Sequence, residues 1–128
     1  MRKFEEGLKI NFVDENNVFV GYDMHQDCCE YAGWFVSNEK PKAIAETPDF
    51  DFDGFVFDVG FMEDNVLGVS VVDVLGVSVV DEGGSVLFRL VREDNSEAFL
   101  CLFNCQNGYY SHGFTVKING QEIHGGFL

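Results

Sequence analysis

Apolar and polar positions alternate with a period of two over much of this chain, the pattern of half-buried β-strands. It is clearest at Phe114-Thr115-Val116-Lys117-Ile118 and Gln121-Glu122-Ile123-His124, which Asn119-Gly120 joins with the strongest short hairpin signal present. A two-residue turn there pairs Ile118 with Gln121, Lys117 with Glu122, Val116 with Ile123 and Thr115 with His124. Phe114, Val116, Ile118 and Ile123 then share a core face, and Thr115, Lys117, Glu122 and His124 a polar one. Upstream, the apolar run FLCLF at residues 99–103 leads into turn formers at 104–108, so the strand at 109–118 is expected to fold back on it.

The same reading places a first hairpin at residues 8–12 and 18–22, with Val13 opposite either Val18 or Val20. A third strand follows at 31–37, then a stretch at 38–47 with at most one helical turn around Ala43-Ile44-Ala45. Residues 86–92 form another strand between turns at 81–85 and 93–97, so that 55–114 reads as a meander of neighbouring antiparallel strands. The predicted fold class is therefore all-β, an antiparallel meander forming a sandwich or partly open barrel with at most one short helix. At 128 residues it makes a single β-rich domain with a normal core.

The octapeptide VLGVSVVD occurs twice without change, at 66–73 and 74–81. Eight is even, so the tandem duplication preserves both strand faces. One straight strand of that length would run roughly 53 Å at ~3.3 Å per residue, well past the ~35 Å diameter of a domain this size. The chain must bend near Asp73.

Charge changes the functional picture. Twenty-two acidic residues against eight basic ones give a net charge of -14, which repels nucleic-acid phosphates and anionic membranes. Direct nucleic-acid binding is disfavoured. Two basic residues near Met1 have no apolar run behind them, and no window approaches 18 uninterrupted apolar residues, so the expected location is cytoplasmic. The four cysteines should then stay reduced.

Three stretches carry candidate chemistry. Residues 49–54, DFDFDG, alternate acid and aromatic. They read as an edge strand with outward Asp49, Asp51 and Asp53, or more sharply as the start of a calcium loop. Gly60 at the twelfth position and Pro48 directly before the loop argue against calcium. His25, Cys28, Cys29, Cys101, Cys105 and His112 could ligate zinc if their segments meet, although no Cys-x-x-Cys knuckle is present. On strand parity Cys101 lies with Phe99 and Phe103, where a buried thiol is simply a small hydrophobe. Cys28 or Cys29 could be a nucleophile with His25 or His112 as base, but flanking Asp27 and Glu30 raise a thiol's pKa and weaken it. His112 shares parity with Tyr110 and Phe114 and reads first as a hydrogen-bonded core or rim histidine.

HQDCCE at 25–30 and NCQNGYYSHGF at 104–114 resemble segments of a small family of uncharacterised bacterial and phage proteins. The resemblance implies a small soluble cytosolic protein, phage-linked, and carries no activity, cofactor or metal with it. Together these features favour an acidic protein-interaction module over an enzyme. Its expected partner is a protein with a basic surface, and no cofactor is expected. The binding candidates are His25, Asp27, Cys28, Cys29, Glu30, Asp49, Asp51, Asp53, Asn107, Tyr109, Tyr110 and His112. The alternative is a zinc protein or cysteine-dependent enzyme built from the two motif segments.

Overall fold

Most of the alternating segments among the described residues are realised as strands. The computed structural model describes residues 1–24, 32–39, 49–58, 69–70, 84–104 and 112–128, and among them it is all-β, antiparallel and free of helix. The strands are β1 (Arg2–Glu6), β2 (Lys9–Val13), β3 (Val18–Asp23), β4 (Ala32–Ser37), β5 (Val56–Phe57), β6 (Val69–Ser70), β7 (Gly84–Val91), β8 (Glu97–Asn104), β9 (Gly113–Ile118) and β10 (Gln121–Phe127). One sheet runs β1-β2-β3-β9-β10, the other β4-β8-β7-β5 with β6 also on β7. They pack as an open sandwich.

The core is what alternation supplies from each sheet. Ile10, Phe12, Val18, Val20, Tyr22 and Val116 of the first meet Val86, Phe88, Leu90, Leu100 and Leu102 of the second, all fully buried. Each such side chain contributes about 1.5–3 kcal/mol by leaving water. The second sheet is buried on its other face too, through Phe35, Leu87 and Cys101, which lie side by side across β4, β8 and β7. Burial on both faces explains why β8 reads as an apolar run and not as an alternation.

Several expectations need correction. β9 does not fold back on β8. It leaves for the first sheet, where β3 and β10 flank it, and it begins at Gly113, with 105–111 outside the described residues. Periodicity fixes which residues face inward but not which sheet receives them. The segment at 2–6 is a strand despite its charges, because a Gly7-Leu8 turn with Gly7 at φ 64° pairs Glu6 with Lys9. In the next hairpin Val13 meets Phe19, not Val18 or Val20. There Glu15-Asn16-Asn17 forms a three-residue loop with Asn17 at φ 59°, closed by the Asp14 N–H on the Val18 carbonyl at 3.1 Å. Glu93-Asp94-Asn95 repeats that loop between β7 and β8, with Asn95 at φ 66° and the Arg92 N–H on the Ser96 carbonyl at 3.0 Å. Its Asp94 sits below the usual carboxylate range because the Ser96 hydroxyl and then the Ser96 N–H donate to it.

The Asn119-Gly120 turn forms with both residues at positive φ, 53° and 80°, as a type I′ turn requires. Ile118 meets Gln121 and Lys117 meets Glu122 as predicted, but a bulge then pairs Val116 with His124 and Thr115 with Gly125. Ile123 is consequently 43% exposed and not in the core. The one-residue shift lets Leu128 exchange both backbone hydrogen bonds with His112 and bury itself at the sheet end. The duplicated octapeptide lies outside the described residues apart from Val69-Ser70, which pairs with Ser85 and Gly84. The 38–47 stretch is described only through Glu39.

Candidate functional site

The acidic stretch at 49–54 is not a strand. Only Val56–Phe57 pairs, against Val91 and Leu90. The Asp53 N–H donates to Asp51 Oδ1 at 3.0 Å, the Phe55 N–H to the Phe52 carbonyl at 3.2 Å, and Gly54 takes φ 80°, so the chain turns here. Asp49, Asp51 and Asp53 are exposed as expected. Phe50 and Phe52 are half-buried and turned inward, Phe50 against Phe52 and Phe55 at centroid distances of 4.7 and 5.2 Å, and Phe52 against Phe12 and Trp34 at 6.0 and 6.2 Å. They hold the loop to the core and do not reach out to a partner. Arg92 clamps the other side, its guanidinium 4.0 Å above the Phe55 ring and its Nη2 donating to the Asp51 carbonyl at 3.2 Å. Next along the chain, Asp58 and Glu97 both take hydrogen bonds from Arg89, at 2.7 and 2.8 Å, and these, Asp58 first, raise the Arg89 pKa.

His112 is 3% exposed, and its Nδ1 stands 2.8 Å from the Asp23 carbonyl, which fixes that nitrogen as the donor. This is the structural role its parity suggested. Beside it the Tyr22 hydroxyl donates to the Phe103 carbonyl at 2.7 Å, and Asn104 Nδ2 to the Leu128 carbonyl at 2.9 Å. These contacts sit where the two motif segments attach: Ala32 pairs directly with Asn104, and Asp23 is bonded to His112. His25, Asp27, Cys28, Cys29, Glu30, Asn107, Tyr109 and Tyr110 themselves lie outside the described residues, as does Cys105. Cys101 is fully buried with Sγ 3.7 Å from the Leu102 carbonyl. Among the described residues no three His, Cys, Asp or Glu side chains are grouped to hold a metal ion.

A third surface escaped the sequence reading. The outer face of the first sheet carries a groove of about 620 Å³. Its central row crosses the strands as Asn11, Gly21, Thr115 and Gly125, each cross-paired with the next. Flanking rows hold Lys9 opposite Asp23, and Phe19 opposite Lys117 opposite Glu122. The groove exists because the row is short of side chains. A Cβ on Gly21 would fall 2.9 Å from both Asn11 Oδ1 and the Phe19 ring, and one on Gly125 would fall 2.7 Å from Glu122 Oε1. The signal available in the sequence was glycine at outward positions of three strands.

No helix among the described residues is long and apolar enough to cross a membrane. Neither known protein families, nor curated proteins, nor solved structures give a match to this chain.

Proposed function

We propose that this protein is a non-catalytic interaction module that meets a basic protein surface with the loop at 49–54. The observation that supports this most is the presentation of Asp49, Asp51 and Asp53. Three exposed carboxylates stand on a turn pinned by inward phenylalanines and by Arg92, on a chain of net charge -14. A pinned acidic loop loses little entropy on docking, and the field of the whole chain steers a cationic partner towards it. Because Phe50 and Phe52 are committed to the core, recognition there rests on charge. Resemblance to bacterial and phage proteins fits an acidic module that engages a host protein whose basic surface itself holds nucleic acid.

The test is association kinetics with the partner isolated by tagged pull-down. The on-rate should fall steeply between low and physiological salt. Replacing Asp49, Asp51 and Asp53 together with Asn should slow association while leaving dissociation nearly unchanged. An on-rate indifferent to salt and to the triple substitution refutes the reading.

A second reading, zinc or thiol chemistry in the two motif segments, gains support from one observation. The residues that flank the first segment, Asp23 and Ala32, meet His112 and Asn104 of the second at one end of the sandwich.

A further inference from the structure

We infer that the groove on the outer face of the first sheet is a binding site for a neutral oligosaccharide, a site separate from the acidic loop. The argument starts from Asn11. It lines the groove and is 3% exposed, yet among the described residues its side-chain amide makes no hydrogen bond. Its amide atoms are not sealed from solvent, so they stay open to the groove and offer their hydrogen bonds to what enters there. Here the amide lies over Gly21, where any other residue would displace it. Strand, glycine and amide together present one donor and one acceptor to whatever enters.

The remaining chemistry selects the ligand. Thr115 stands between Gly21 and Gly125, and Glu122 Oε1 lies over Gly125, so amide, hydroxyl and carboxylate follow one another across β2, β3, β9 and β10. Three strand spacings of about 4.8 Å make that row about 14 Å long, and the groove volume falls within the usual range for ligand sites. Alternating donors and acceptors on a nearly flat floor match vicinal hydroxyls, each of which both donates and accepts. One exposed aromatic ring completes the site. Phe127 is 77% exposed with its Cε1 3.6 Å from a Cβ position on Gly113, and its face suits the C–H face of a pyranose ring, whereas the Phe19 ring, which borders the groove, is already covered by the Lys117 ammonium 5.5 Å from its centroid.

Charge argues for neutrality. Lys9 stands between Glu6 and Asp23, and Lys117 opposite Glu122, so the groove has no sustained field of either sign. The net charge of the chain repels anionic glycans and phosphates. An added peptide strand is also excluded from the central row, since β2, β3 and β9 already pair on both edges.

The experiment is titration of the full chain, followed by amide NMR, with cellohexaose, maltohexaose, mannohexaose, chitohexaose and polygalacturonate. At least one neutral hexasaccharide should bind with shifts centred on Asn11, Gly21, Thr115 and Gly125. Phe127→Ala, at an exposed ring, and Asn11→Ala, checked for a retained unfolding transition, should each weaken that binding at least tenfold. Binding should be unchanged by salt and by the triple Asp49, Asp51, Asp53 substitution, which separates this site from the acidic loop. The inference is overturned if no neutral glycan binds, if only polygalacturonate binds, or if Phe127→Ala leaves affinity intact.

Discussion

Asp14 is the residue whose removal should cost the fold most for its size, and replacing it with alanine tests how the sandwich is held. It is 5% exposed and its carboxylate accepts three backbone hydrogen bonds. Oδ1 takes the N–H of Asn16 at 3.0 Å and of Val18 at 2.9 Å, inside its own hairpin, while Oδ2 takes the N–H of Phe57 at 2.8 Å, on the other sheet. Asp14→Ala leaves the Val18 and Phe57 donors buried and unmatched at about 1–3 kcal/mol each, whereas the Asn16 donor can turn to water. Relief from burying a carboxylate offsets part of this, so the expected net loss is about 3 kcal/mol. Asp14→Asn keeps one acceptor oxygen for the hairpin and sets an NH2 against Phe57, and should lose roughly half as much. Urea unfolding followed by Trp34 fluorescence measures both. With a slope of about 1–3 kcal/mol per molar, the alanine variant's midpoint should fall by about 1 M or more at unchanged slope. A loss below about 1 kcal/mol, or an asparagine variant as damaged as the alanine one, refutes the assignment of these bonds.

Two further outcomes follow from local geometry and chemistry. Gly120→Val should cost about 1–3 kcal/mol, and since nothing lies within 4 Å of its Cβ position the whole effect is the β-branched residue's aversion to φ 80°; Gly120→Asn, more tolerant of that region, should lose clearly less in the same urea assay. Native mass spectrometry of dialysed protein should show the bare chain mass; one retained zinc per chain would favour the second functional reading and make Cys28, Cys29, Cys105, His25 and His112 the residues to replace.

The sequence was most legible where one residue type dictates the backbone. Asn119-Gly120 specified its turn, and the alternating members of β2 and β9 specified their faces, whereas β8, apolar on both sides, did not. It was least legible where the answer depends on segments far apart in the chain. RKFEE has too few apolar residues to read as a strand, and β1 exists because the Gly7 turn lays it on β2. The bulge in β10 goes with the pairing of Leu128 and His112, two residues whose meeting the local pattern around Ile123 does not announce. The groove is the extreme case, because its depth is made of missing side chains at 21, 113 and 125, on strands that only the fold makes neighbours. Outward alternation marked Thr115, Lys117 and Glu122 as polar surface without showing that they border a concavity.

Apolar contact between two sheets is strong but almost without direction, so it leaves open how one sheet is rotated and shifted over the other. Few backbone hydrogen bonds can settle this in a sandwich, since those run within sheets. Here side-chain ties cross the gap: Tyr22 to the Phe103 carbonyl and Asn104 to the Leu128 carbonyl at one end, Asp14 to the Phe57 N–H at the other. Each is buried, so a rotated or slipped sandwich would strand a polar group at about 1–3 kcal/mol apiece, a penalty that singles out one stagger. The tie at the Asp14 end fixes β5, and with it the loop that carries Asp49, Asp51 and Asp53. The pair at the opposite end fixes Ala32, Asn104 and His112, from which the two motif segments depart. The positions from which both candidate surfaces are displayed are thus set by hydrogen bonds between the sheets, and substitutions at Tyr22 or Asp14 reach those surfaces without touching them.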